Sequence, residues 1–592
     1  MSLKWSLDEL FTSFESNEFK DAYEKSERGS FELTKFSKEN FNNTDNAKEK
    51  IEKCLKLTLE YMTPLDRIFA YCSLTFSVDT KNEKAVQVLG QMRKIDSAYT
   101  KPTILFEKWL CKIENLDEII ASSVFLTDNK FYLNEIINSA QYLLDDQTEM
   151  LISNLRNTGS NAWRTLQSKL SSSILVDIEI DGETKKLPLS TVRNMAYSPD
   201  KELRKRAYHA ELESYKIYEE ASAAALNSIK GEVLTLSELR GFDSPLAETL
   251  HKSKMDKETL DTMLSAMEDF LPVFHKYFKR KAKIFGHKNG LPFYDMFAPL
   301  PVGSSSYTYD ETKEFITTNF REFSSELADY AQNAFDKNWI DVKPREGKRG
   351  GAFCYNLPMI KESRIMLNFD GSLKNVTTVA HELGHGYHGY NLKDENSFNT
   401  SYPMPLAETA STFCETIVQK AAIKSADDSA ALSLLEGSIQ GYGQIIVDIY
   451  ARFLFESELF ETRKDHELSV TELKDLIAKA QKAAYGDAVD HDFLHPYMWM
   501  NKPHYYSATR NFYNFPYSFG LLFAKGLYAE YLSRGESFIK EYDVLLNRTG
   551  KNNITDVAKM MNIDVNSKEF WVSSLKEIEK EIELFLELSK NL

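Results

Sequence analysis

The chain has 592 residues, is 42% hydrophobic and 12% aromatic, and holds only 24 Gly and 16 Pro, which excludes collagen-like, low-complexity and disordered chains and points to long helices around a large core. Its 72 basic and 88 acidic residues leave a formal net charge of −16, which repels phosphate backbones and anionic lipid, so neither nucleic acid nor membrane is an expected partner. Cys54, Cys72, Cys111, Cys354 and Cys414 are never closer than 18 residues and fit neither a disulfide framework nor a CxxC metal site. With no signal-peptide pattern and no apolar run of ~18–20 residues, the reading is a soluble cytoplasmic protein.

Residues 1 to about 170 read as successive helices, one of them running from near Ile51 to Pro64. The period then changes. Ile174, Val176, Ile178 and Ile180 alternate with other residues up to Asp181-Gly182, after which Thr184 to Leu189 returns, the pattern of a β-hairpin. That hairpin is the expected seam between an N-terminal helical lobe, 1–190, and a catalytic domain, 191–592. Ser198-Pro199 is a capping pair that predicts one long helix reaching toward Gly241. Around 341–371, Gly347 to Gly351 predicts a flexible turn, and Ala352 to Tyr355 and Arg364 to Asn368 predict two short strands. From 373 onward the chain is again mostly helical.

The sharpest motif is His381-Glu382-Leu383-Gly384-His385, an HExxH in a stretch expected to be helical near 373–390. Imidazoles four residues apart lie one above the other on a helix, so both reach one Zn²⁺, while Glu382 addresses a metal-bound water. A catalytic zinc needs a third protein ligand. The metzincin pattern fails, because its third histidine would fall at Asn391 and its glycine position is His388. A carboxylate from a second helix, expected near 406–424, is the alternative: Glu408 is the predicted ligand, with Glu415, seven residues on, as substitute or supporting partner. His388 is expected to pack or hydrogen-bond. A second cluster at 499–517 holds Trp499, His504, Tyr505, Tyr506, Tyr513 and Tyr517; such aromatic density suits core packing and also the donors an oxyanion requires.

These motifs resemble the oligoendopeptidase F group of the thimet-type oligopeptidases: His381-Glu-Leu-Gly-His385-Gly-Tyr-His388, Glu408-Thr-Ala-Ser411, Gly347-Lys-Arg-Gly-Gly-Ala-Phe-Cys354, Tyr485-Gly-Asp and Pro503-His504-Tyr505-Tyr506. The resemblance implies a mainly α, two-lobed, zincin-like metallopeptidase with a deep channel for unfolded oligopeptides and a small β element beside the zinc helix. It also implies one Zn²⁺ per chain held by His381, His385 and Glu408, with Glu382 as general base. His504 with Tyr506, Tyr513 or Tyr517 would hold substrate and stabilise the oxyanion, and the Gly351–Tyr355 stretch would pair with the peptide backbone. The expected activity is cleavage of internal bonds of short peptides. A metallocarboxypeptidase and a non-catalytic peptide-binding protein are the rival readings.

Overall fold

The computed structural model describes residues 3–300 and 306–592, and they form a mainly α fold with two small sheets. Two compact units emerge, each assembled from three stretches of chain. The first comprises Met1–Gln141, Ser305–Ala421 and Glu530–Asn562, and the second Tyr142–Ser304, Ala422–Ala529 and Ile563–Leu592.

This partition interleaves the chain instead of dividing it at 190, and hydrophobic burial is the reason. In the first unit Leu357 and Met366 share a core with Tyr61, Leu65 and Met92 from the N-terminal helices. In the second, Ile174, Val176 and Ile178 share a core with Phe455, Leu459 and Tyr506, which makes residues 142–190 part of that unit.

The hairpin forms as its sequence dictates. Strand β1 (Leu175–Ile180) pairs antiparallel with β2 (Glu183–Pro188) across Asp181 and Gly182, whose φ angles of 55° and 77° are those of a type I′ turn. The second sheet has the order β3-β5-β4, with β3 (Ile340–Asp341) parallel and β4 (Phe353–Leu357) antiparallel to the central β5 (Glu362–Met366). Strand β4 is therefore an edge.

Three local expectations are corrected. The helix Ala47–Val78 continues through Pro64, held by buried Tyr61, Leu65 and Ile68 on either side of it. Asp200, not Ser198, caps the next predicted helix, because its carboxylate accepts from both Glu202 N and Leu203 N; that helix ends at Tyr215, and a second one, Glu219–Leu239, follows. The Gly347–Gly351 turn is pinned, since the Lys348 side chain is fully buried and its ammonium meets Asp341 Oδ1 at 2.6 Å. Among the described residues no helix is long and apolar enough to cross a membrane.

Candidate metal centre

The helix Leu373–Asn391 carries the HExxH motif. Its start is set by local chemistry: Ser372 Oγ accepts from Asn375 N, and Gly371 holds φ +88° where an added Cβ would meet Tyr307 O at 2.8 Å. Its far side docks on β4 and β5, where Asn356 Nδ2 donates to His385 O at 3.1 Å. Ser363 Oγ donates to Asn356 Oδ1, and Tyr330 OH to Ser363 Oγ, both at 3.0 Å. This chain of hydrogen bonds fixes the turn that presents His385. Neither Asn356 nor Tyr330 carries a local sequence signal, since both act through contacts distant in the chain.

The partner helix is Thr409–Ser425, and Glu408 stands in the turn immediately before it, later than the expected helix start near 406. Gly384 makes this approach possible. A Cβ there would lie 2.5 Å from Ala410 O and 2.6 Å from Ser411 Cα, so only glycine lets the two backbones meet. Ser411 Oγ donates to Glu408 Oε2 at 2.8 Å and aims that carboxylate at the histidines.

His381 Nε2 and His385 Nε2 lie 3.3 and 3.4 Å from Glu408 Oε2, and all three donor atoms fall within 4.8 Å of one another. Ligands about 2.0–2.1 Å from a tetrahedral zinc are separated by about 3.3–3.4 Å, so the two histidine–carboxylate separations match those such an ion requires. Glu415 Oε2 accepts from His381 Nδ1 at 3.1 Å, which turns Nε2 toward the other two donors. His388 does not join them: it stacks on Tyr402 at 4.0 Å, and its Nε2 lies 2.8 Å from Thr549 Oγ1.

Burial raises the Glu382 carboxyl to about 7, against the lowering effect of His381 and of the Cys354 backbone N–H. Burial works against the charged imidazole of His381, but its hydrogen bonds to Glu408 and Glu415 prevail and raise it to about 10. His385, buried beside that charge, falls to about 4 despite the attraction of Glu408. The trio places one carboxylate between two imidazoles, a borderline-to-hard N₂O donor set suited to zinc.

The residues of the 499–517 cluster belong to the other unit. His504 lies in the short helix Pro503–Tyr506, its Nε2 2.9 Å from Asn514 Nδ2 and its ring stacked on Tyr513 at 5.9 Å. Burial and the nearby Arg452 lower its pKa to about 3. Tyr513 OH and Tyr517 OH are 3.1 Å apart, and both rings are half-buried. Tyr506 departs from expectation: at 1% exposure it is part of the core with Trp499 and Tyr505, because its ring fills space between helices. Arg452 and Asn514, which surround His504, were not singled out by sequence reasoning. The faint signal was Arg452 four residues after Asp448 in an otherwise apolar stretch.

Fold and donor set together define a mainly α, zincin-like peptidase architecture. Residues 194–577 match the description "Peptidase family M3" and residues 111–174 match "Oligopeptidase F"; the chain belongs to peptidase family M3. It is similar to oligopeptidase PepF of Bacillus subtilis, 23% identical with 99% of this chain and 87% of that protein covered. It is also similar to an oligoendopeptidase F homologue of Borreliella burgdorferi, 24% identical with 95% and 94% covered. Among solved structures, oligoendopeptidase F from Enterococcus faecium aligns with a TM-score of 0.71 at 18% identity, covering 96% of this chain and 100% of that one.

Proposed function

We propose that this chain is a zinc metalloendopeptidase that hydrolyses internal bonds of short, unfolded oligopeptides. The observation that carries the reading is the convergence of His381, His385 and Glu408 donor atoms within 4.8 Å of one another, with Glu382 on the same helix as the histidines, in a member of a peptidase family. The named activities of the similar oligoendopeptidases support the endopeptidase reading.

His381, His385 and Glu408 would hold the ion, and Glu415 would fix the His381 tautomer through Nδ1. Zinc bound there supplies Lewis acidity, bringing the pKa of a water toward about 7 and polarising a peptide carbonyl. Glu382 takes the proton of the attacking water on its carboxylate and delivers it to the nitrogen of the leaving amine. The edge strand β4 accepts an extended peptide as an additional strand, which orients the scissile bond without reading its side chains. His504, Tyr513 and Tyr517 are proposed as hydrogen-bond donors to a bound peptide. Tyr506, sealed in the core, contributes packing.

The test is an internally quenched peptide of about ten residues, blocked at both ends, incubated with the protein before chelation, after chelation and after zinc return, with cut sites read by mass spectrometry. Internal cuts that vanish with the chelator and return with zinc are expected. Cleavage only of peptides with a free C-terminus would assign a carboxypeptidase, and tight binding without any cleavage would assign a peptide-binding protein.

A further inference from the structure

The second unit contains a cavity of roughly 350 Å³, within the range of small-molecule sites. Its walls include Phe278, Tyr294 and Phe297, and the cations Arg193, Arg452 and Lys502 line it as well. We propose that this cavity is a binding site for a small organic carboxylate with an apolar or aromatic body.

The argument is an accounting of hydrogen bonds. The acidic groups on the wall are already served: Glu211 accepts from Tyr215 OH at 2.8 Å and has Arg193 Nε and His495 Nε2 at 3.3 Å, and Asp448 pairs with Arg452. Several donors are not. Arg204 spends Nε on Asp295 and Nη1 on Ser198 O, both at 2.7 Å, but its Nη2 is buried without a partner. Arg452 spends Nη2 on Asp448 and Nη1 on Asn514 Oδ1, and its Nε is buried without a partner. The Lys502 ammonium meets no acceptor among the described residues, and burial together with the neighbouring Arg452 lowers its pKa to about 8.

Two buried guanidinium donors without partners, beside the half-buried Lys502 ammonium, call for an acceptor-rich anion. The aromatic walls call for an apolar body attached to it, and the unpartnered Asn501 Oδ1 offers an acceptor for an amide N–H. The π-helical turn Gln444–Asp448 places both of its end residues on the wall, a distortion of the helix that such sites commonly show. Arg452 also ties the cavity to the His504 segment, because Asn514 bridges the two.

The test is calorimetric titration of the full-length protein with N-acetyl-L-phenylalanine and, separately, N-acetyl-L-phenylalaninamide. The protein is first stripped with a chelator, so that no metal holds the carboxylate and the readout is independent of the peptidase reading. Saturable binding of the acid is expected, weaker by roughly tenfold or more for the amide and for Lys502→Gln. Ala196→Phe keeps every charge but places a ring in the cavity, and it should abolish binding; thermal melting verifies that each variant is folded. If Lys502→Gln does not fold, Ala196→Phe decides alone. Absence of saturable binding, equal affinity for acid and amide, or wild-type binding in the folded variants would overturn the proposal.

Discussion

At the scale of single residues the candidate centre rests as much on Gly384 and Glu415 as on the donors themselves. Gly384 sits where a methyl would strike Ala410 O and Ser411 Cα, so Gly384→Ala should force the two helices apart and separate Glu408 from the histidines. The expected loss is about 1–3 kcal/mol of stability together with weaker metal binding, checked by thermal melting and metal titration. Glu415→Ala should leave the three donors in place but free the His381 ring, lowering zinc affinity by about 10–100-fold in competition with a chromophoric chelator. The HExxH pair was legible because its geometry is local: four residues on a helix fix the relation of the imidazoles before any tertiary contact forms. Asn356, Tyr330 and Arg452 were not, because each works through a partner far along the chain.

At the scale of elements, the helix bearing the motif is also anchored at its C-terminal part, where Tyr387 OH donates to Asp543 Oδ1 at 2.6 Å on the helix Glu536–Arg548. Burial raises Asp543 to about 6, against the lowering effect of the Tyr387 hydrogen bond, whereas an unfolded chain titrates near 3.9. The folded protein therefore holds this proton longer, and the resulting stabilisation is complete below about pH 4 and lost as pH rises through about 6. Asp543→Asn should consequently gain melting temperature relative to wild type between about pH 5 and about pH 7; a constant difference would contradict the burial argument. The hairpin allows an equally local check. Gly182 has open space around it but φ +77°, so Gly182→Ala should destabilise by about 1 kcal/mol through backbone strain alone. Asp-Gly made this hairpin readable in the sequence, whereas β3 spans two residues and carries no period to read.

At the scale of the whole molecule the sequence indicated a mainly α chain but concealed how it is divided. Residues 1 to about 170 read as one run of helices, and only the burial of Ile174, Val176 and Ile178 with Phe455 and Leu459 assigns 142–190 to the second unit. Long-range burial of this kind leaves no trace in local periodicity. Metal binding to the folded protein should act on the whole stability by mass action: zinc at a hundred times its Kd adds about 2.7 kcal/mol, raising the melting temperature of wild type but not of His381→Ala.

The most direct test of the central claim measures zinc per chain and turnover of the end-blocked peptide side by side in wild type, Glu382→Gln and His381→Ala. The account predicts one zinc and activity in wild type, one zinc with turnover reduced by several orders of magnitude in Glu382→Gln, and neither zinc nor activity in His381→Ala. Near-normal turnover in Glu382→Gln, or stoichiometric zinc in His381→Ala, would contradict it.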